Sequence, residues 1–202
     1  EEPLAAAIGT SIDINSARGS MVVDIGGGTT DIAVVSLGGT VESQSIKCAG
    51  DDYNAAMIKY IRRKYNLLIG EQTAENAKIA IGSVYERPEE LTYTVKGRDL
   101  IRGLPKGITI NANETIEAFS EPTMQILNAI HGILEVAPPE LVADISVSGI
   151  TLTGGGSLMY GMDKLIKEKT GIDTYVSDRA LEAVVLGAGM AEDIPEYSRG
   201  TE

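Results

Sequence analysis

Hydrophobic positions along the chain fall into runs with two different periods. "SMVVDI" (20–25) and "TDIAVVSL" (30–37) are β-branched runs, and "TVESQSIK" (40–47) alternates apolar and polar residues. Gly38-Gly39 is a turn signal, so the pattern predicts a three-strand antiparallel meander whose first connection carries Gly26, Gly27 and Gly28. From Asp51 the period becomes helical, with Tyr53, Ala56, Met57, Tyr60 and Ile61 on one face and charges opposite. Gly70 closes that segment, and Thr73 reads as the N-cap of a helix over "AENAKIAIG". "LTYTVKG" and "KGITINANE" read as short strands, after which Asn113 caps a long helix running to about Val136. Pro138-Pro139 breaks it before a further short helix. "GITLTGGGS" (149–157) is a strand entering a second triple-glycine loop. In the next segment Leu158, Met162, Leu165 and Ile166 share a helical face that stops at Gly171. "DTYVS" is a last strand, "RALEAVVLGAGMA" a last helix, and the tail after Asp193 is polar and expected to fray.

A meander combined with strand–helix alternation gives an α/β class with a mixed sheet. Residues 51–113 form an excursion with its own helices and hairpin, which predicts a smaller α+β subdomain inserted into the first. The 202 residues, 43% of them hydrophobic, suffice for a real core. A net charge of -12 argues against nucleic acid as a partner and gives no general attraction to anionic lipid. Lys and Arg cluster once, in "KYIRRKY" (59–65), which at helical spacing is the wet side of a helix. The lone Cys48 is a small core residue, and the lone His131, on an apolar-rich helix, is a packed or edge residue rather than a catalyst. One Cys and one His do not make a zinc site. No stretch approaches the roughly twenty apolar residues that span a bilayer. The chain opens in what reads as the middle of a helix, "EEPLAAAIG", so we expect a piece of a longer protein.

The two glycine loops carry the candidate chemistry. "GGGTT" lacks the lysine of a phosphate-binding P-loop and leads into a strand, so no helix N-terminus is expected to back an anion there. It is either a tight hairpin turn or an anion nest, in which backbone N–H groups approach phosphate oxygens and Thr29 and Thr30 add hydroxyl donors. Asp24, at the strand end, is placed to hold Mg²⁺ through water. "TGGGS" lies between a strand and a helix, and is either a close-packed turn or a backbone surface for a purine or ribose. Both loops follow strands of one predicted sheet and could open on one cleft, as a two-sided nucleotide site requires.

These segments carry a resemblance. "DIGGGTTD" resembles the second phosphate loop of the actin/heat-shock chaperone/sugar kinase ATPase superfamily, "LTGGGS" its adenosine motif, and "ALEAVVLGAG" the helix closing its nucleotide domain. "EEPLAAAIG", "GSMVVDIGGGTTD", "YNLLIGEQTAENAKIAIGS", "RDLIRGLPKGITI" and "PPELVADIS" are similar to segments of the MreB/Mbl family, the bacterial actin homologues that determine rod shape. The resemblance covers nearly the whole chain but only the second of that family's two lobes.

The resemblance implies an actin-like (ribonuclease H-like) ATPase lobe. Residues 1–50 and 114–202 would be the nucleotide-binding subdomain IIA, and 51–113 the inserted subdomain IIB. It implies ATP and Mg²⁺ as cofactors. Gly26, Gly27, Gly28, Thr29 and Thr30 would contact the β- and γ-phosphates, Asp24 would orient the Mg²⁺ shell, and Glu2 would polarise the attacking water. Glu75, Asn76, Ala77, Lys78 and Ile79 would present a helix to ribose and base, and Gly154, Gly155, Gly156, Ser157, Leu158 and Met159 would lie along the adenosine. Without the family, Glu2 reads as a solvated helix-end acid, and Glu75 with Lys78 as an exposed ion pair. Asp31 stands where many members carry Glu, and Asn76 at a variable position. Implied partners are further copies in a head-to-tail filament, a RodZ-type membrane anchor and the wall-synthesis machinery; nucleic acid is not among them. Membrane contact would run through the first lobe only, with cytoplasmic filaments at the inner face of the membrane. The second lobe alone is expected to bind ATP weakly and hydrolyse it negligibly. The other readings are an ATPase lobe of chaperone or sugar-kinase type, and a partner-docking module that needs no nucleotide.

Overall fold

The computed structural model describes residues 2–10 and 16–192. Its main sheet has the order β3-β2-β1-β7-β8. β1 (Ser20–Ile25), β2 (Thr30–Ser36) and β3 (Gly39–Ile46) form the expected antiparallel meander. β7 (Ile150–Thr153) and β8 (Thr174–Val176) add in parallel beyond β1. The sheet is therefore mixed.

Side chains of β1 alternate between two apolar layers, as the two-residue period of a strand dictates. Val22, with Ala33 and Val35 of β2, packs under Ala6, Ala7 and Ile8 of helix α1 (Glu2–Gly9). Met21, Val23 and Ile25 face the larger core, which includes Ile126 and Ile130 of α5 (Ser120–Val136) and Tyr53, Met57 and Ile61 of α2 (Gly50–Tyr65). On the first side, α1 crosses α8 (Ala183–Glu192) backbone to backbone. A Cβ on Gly9 would collide with the Ala183 carbonyl, and one on Gly187 with the Ala5 carbonyl. Glycine is required at that crossing by proximity.

Residues 67–111 build a second, antiparallel sheet of β4 (Leu67–Leu68), β5 (Thr92–Asp99) and β6 (Pro105–Asn111). α3 (Glu71–Ile81) lies between β4 and β5. The remaining helices are α4 (Glu114–Ala118), α6 (Pro139–Ser148) and α7 (Met162–Thr170).

Four local expectations need correction. Helix α2 ends at Tyr65, not near Gly70, because Asn66 takes a left-handed conformation (φ 51°) and its N–H donates to Arg62. Gly70, rather than Thr73, is the N-cap of α3, and Thr73 lies inside the first turn. The helix expected over 113–136 is two, broken at the buried Phe119. The cause is Pro122, which lacks the N–H that a continuous helix would donate to the Ala118 carbonyl and so fits only a first turn. Phe119 instead packs edge-on against Tyr53, ring centroids 5.1 Å apart. Leu158 does not share the face of Met162; it ends a single 3-10 turn, Gly155–Leu158, and is 55% exposed. Cys48 is buried, whereas His131 faces solvent at the helix edge. Among the described residues no helix is long and apolar enough to cross a membrane.

Candidate functional site

Three antiparallel strands return the chain to the end of the sheet where the first connection lies. The residues after β3 therefore arrive beside Gly26-Gly27-Gly28, and α2 begins against that loop. Gly50 N–H donates to the Gly26 carbonyl (3.0 Å), and Asp51 N–H to the Gly27 carbonyl (2.8 Å). A helix N-terminus thus does back the loop, contrary to the expectation from the linear order of elements. The loop is also a tight turn, closed by Gly26 N–H on the Thr29 carbonyl at 3.0 Å. The hairpin and anion-nest readings are compatible. A Cβ on Gly27 or Gly28 would meet nothing within 4 Å, so these two face open space. Gly50 has no such freedom, because a Cβ there would lie 3.2 Å from the Gly26 carbonyl.

The threonines divide. Thr29 is exposed. Thr30 is fully buried, and its hydroxyl donates to the Cys48 carbonyl at 2.7 Å. A hydroxyl has one proton to donate, so Thr30 holds the meander to the start of α2 and is not a donor to a ligand in this arrangement.

The second loop docks on the end of β1. Asp24 is 6% exposed, and its Oδ1 with the Ile25 carbonyl occupies the space that a Cβ on Gly154 (φ +81°) would need. A Cβ on Gly156 would run into Ile25 in the same way. Both glycines serve close packing, and Gly156 together with Gly155 also borders the cavity between the loops. Ser157 is buried and its hydroxyl donates to the Gly154 carbonyl at 2.6 Å. The 3-10 turn, with Met159, Tyr160 and Gly161, separates the glycines from α7, so no α-helix N-terminus follows the second loop directly.

Helix α3 forms the third wall. Lys78 extends from it to the first loop and donates to the Gly50 carbonyl at 2.9 Å. Burial lowers its pKa, and the nearby Glu75 and Asp51 oppose that shift. The expected exposed pair of Glu75 with Lys78 is replaced by this longer-range bond. Gly26, Gly27, Glu75, Lys78, Ile79, Gly155, Gly156, Leu158 and Met159 together border one cavity of about 420 Å³. Asn76 points to solvent and accepts from Gln72, and Ala77 packs into the core. Glu2 opens α1, but its side chain lies outside the described residues.

Gly50, Asp51, Gly82, Arg87, Tyr160 and Leu181 also border the cavity and were not legible as site residues. For Gly50 and Asp51 a signal existed, namely the strand count that returns the chain to the loop. Arg87 and Tyr160, far apart in the sequence, are brought together where a backbone bridge joins Ser83 and Tyr160. The cavity is apolar at its mouth, where Ile79 (74% exposed), Leu158 and Leu181 (71% exposed) stand free.

The cavity size suits a small molecule, and the mix of free loop backbone, apolar mouth and few charged groups suits one with an anionic end and a flat end. Among the described residues no cluster of three or more His, Cys, Asp or Glu could cage a metal. The carboxylates bordering the cavity are Asp51 and Glu75, whereas Asp24 is nearly buried against Gly154 and is not among the bordering residues. Mg²⁺ would therefore fit only in its usual mode, held through water and ligand phosphates.

The comparisons with known proteins agree with this geometry. The family model described as MreB/Mbl protein matches residues 1–199. The cell shape-determining protein MreB of Escherichia coli K12 is 48% identical over 200 residues, covering 99% of this chain and 58% of the relative. Mbl of Bacillus subtilis is 45% identical over 193 residues, 96% of this chain and 58% of the relative. Crystal structures of MreB5 of Spiroplasma citri bound to ADP and to AMPPNP superpose with a TM-score of 0.93 at 38% identity. The alignments cover 96% of this chain and 59% and 58% of the respective MreB5 chains. The chain thus spans less than two thirds of the length of these relatives. It has the actin-like fold and belongs to the MreB/Mbl family of cell shape-determining proteins.

Proposed function

We propose that the cavity binds Mg-ATP and that the whole protein is a cytoskeletal ATPase whose filaments organise wall synthesis under the membrane. The observation that carries the reading is the convergence of both glycine loops and α3 on one cavity. Gly27 and Gly28 would receive the β- and γ-phosphates, with Thr29 as the flanking hydroxyl. Asp24 would hold the water shell of Mg²⁺, which supplies charge neutralisation at the phosphates when bound. Glu2 would orient water for hydrolysis. Glu75, Lys78 and Ile79 on one side and Gly155 to Met159 on the other would enclose ribose and base. The MreB5 relative is bound to ADP and AMPPNP in its crystal structures, which supports nucleotide as the ligand class.

Residues 1–50 and 114–202 act in this reading as subdomain IIA, and 51–113 as subdomain IIB. The filament forms by head-to-tail contacts between copies, with a RodZ-type anchor and wall enzymes as partners. Isothermal titration of the 202-residue chain with Mg-ATP tests the site. We expect binding weaker than micromolar, with shifts of the Gly27 and Gly28 amide resonances at millimolar nucleotide. Micromolar affinity would contradict the view that one lobe supplies only part of the grip. No shift at any concentration would contradict the site itself. Pelleting of the full-length protein with and without ATP separates a filament former from a soluble kinase-type ATPase.

A further inference from the structure

The cations bordering the cavity are Lys78 and Arg87. The ammonium of Lys78 gives one of its three N–H donors to the Gly50 carbonyl. Arg87 differs. Its Nε donates to Ser83 Oγ at 3.1 Å, while its terminal nitrogens have no hydrogen-bond or carboxylate partner among the described residues. The guanidinium carbon lies 3.9 Å from the centroid of the Tyr160 ring. Guanidinium on an aromatic face is a favourable, orienting contact.

The segment that carries Arg87 is fixed in place. Val84 N–H donates to the Tyr160 carbonyl (3.0 Å), and Tyr160 N–H to the Gly82 carbonyl (3.3 Å). Asn113 grips the Arg87 backbone twice, accepting from its N–H at 2.9 Å and donating to its carbonyl at 3.1 Å. Lys164 holds Tyr160 from outside, donating to its hydroxyl at 3.1 Å. The donors of Arg87 are therefore pre-positioned. Along α3, Lys78 touches the first-loop end of the cavity, and Gly82, one helical turn on, meets Tyr160. Arg87 stands at the end away from Gly27 and Gly28.

We propose that Arg87 is a specificity-determining residue that reads acceptor atoms on the base of the bound nucleotide, with Tyr160 as its platform. The proposal rests on the nucleotide reading above and adds the residue that recognises the base. A guanidinium offers N–H donors and no acceptor, so a ring nitrogen or carbonyl must face it, never an exocyclic amine alone.

The test is an NMR titration of the chain that follows the Gly27 and Gly28 amides and the Arg87 Nε–H. The probes are ATP, tripolyphosphate and the 1-, 3- and 7-deaza analogues of ATP. ATP should shift all three signals, and tripolyphosphate the glycines only. R87A should weaken ATP roughly tenfold and leave tripolyphosphate unchanged. R87K, which keeps the charge without the fork, should behave like R87A and keeps the test open if R87A fails to fold. One deaza analogue should lose a comparable factor in the wild type and nothing further in R87A. Wild-type ATP affinity in both variants overturns the proposal, as does equal weakening of ATP and tripolyphosphate, or three deaza analogues that bind like ATP. Absence of any response to ATP and tripolyphosphate overturns the nucleotide reading, and the proposal with it.

Discussion

Replacing Thr30 by Val separates a structural from a ligand-binding role at the first glycine loop. The substitution keeps the β-branched shape and removes only the hydroxyl, which is fully buried and 2.7 Å from the Cys48 carbonyl. Two effects then add: the hydrogen bond is lost, and a buried carbonyl loses its donor. Together they are worth about 1–3 kcal/mol. For a chain of this size each kcal/mol moves the melting temperature by roughly 2–4 °C. A loss near the middle of that range lowers it by roughly 4–8 °C. Urea unfolding followed by circular dichroism gives the free energy, and the Gly27 and Gly28 amide shifts at millimolar ATP give ligand occupancy. T30V should unfold at lower urea while its folded fraction still responds to ATP. T29A should do the reverse, since Thr29 is exposed. The reasoning fails if T30V unfolds within about 0.5 kcal/mol of the wild type and loses its response to ATP. The hydroxyl would then face the ligand.

The glycines of the second loop should respond differently to one methyl group. G156A places a Cβ against Ile25 and should cost about 1–3 kcal/mol of stability in denaturant unfolding. G155A meets only Leu181, at 3.4 Å, and should leave stability unchanged while weakening ATP by intruding on the cavity. Glu114 accepts from Lys64, from the Tyr65 hydroxyl at 2.6 Å and from the Asn111 amide at 3.0 Å. Burial pushes its carboxyl up, but these donors outweigh that and hold it at about 2 instead of the ordinary 4.5. A depressed acid stabilises the fold above its unfolded pKa, and that stability is lost as pH falls from 4.5 towards 2. Urea midpoints of E114Q should therefore change less than those of the wild type across that window, and parallel profiles would refute the assignment.

The sequence was most readable where a single periodicity decided the outcome. The strands of the meander are found within a residue or so of their expected limits, because β-branched runs and Gly38-Gly39 leave little choice. Expectations failed where one residue overrode a pattern. Pro122 splits a helix whose apolar spacing runs unbroken, and Asn66 ends α2 four residues before the glycine that looked like its stop. At the site, residue types near the loops pointed to the right chemistry, but their commitments were invisible. Nothing local reveals that the Thr30 hydroxyl belongs to Cys48, that Lys78 reaches across to Gly50, or that Arg87 lies on Tyr160, 73 positions away. Each is a contact between elements, and it is set by how sheet and helices pack.

The bonds from Gly50 and Asp51 to the first loop also decide which way that loop speaks. A trans peptide is planar, with its C=O and N–H pointing in opposite directions. When the Gly26 and Gly27 carbonyls turn inward to α2, the amides that share their peptide planes, those of Gly27 and Gly28, must turn outward. The first turn of α2 thus aims two donors that it does not own. Its partial positive charge is relayed outward through two extra peptide units, so the dipole of a 16-residue helix is extended to the loop surface.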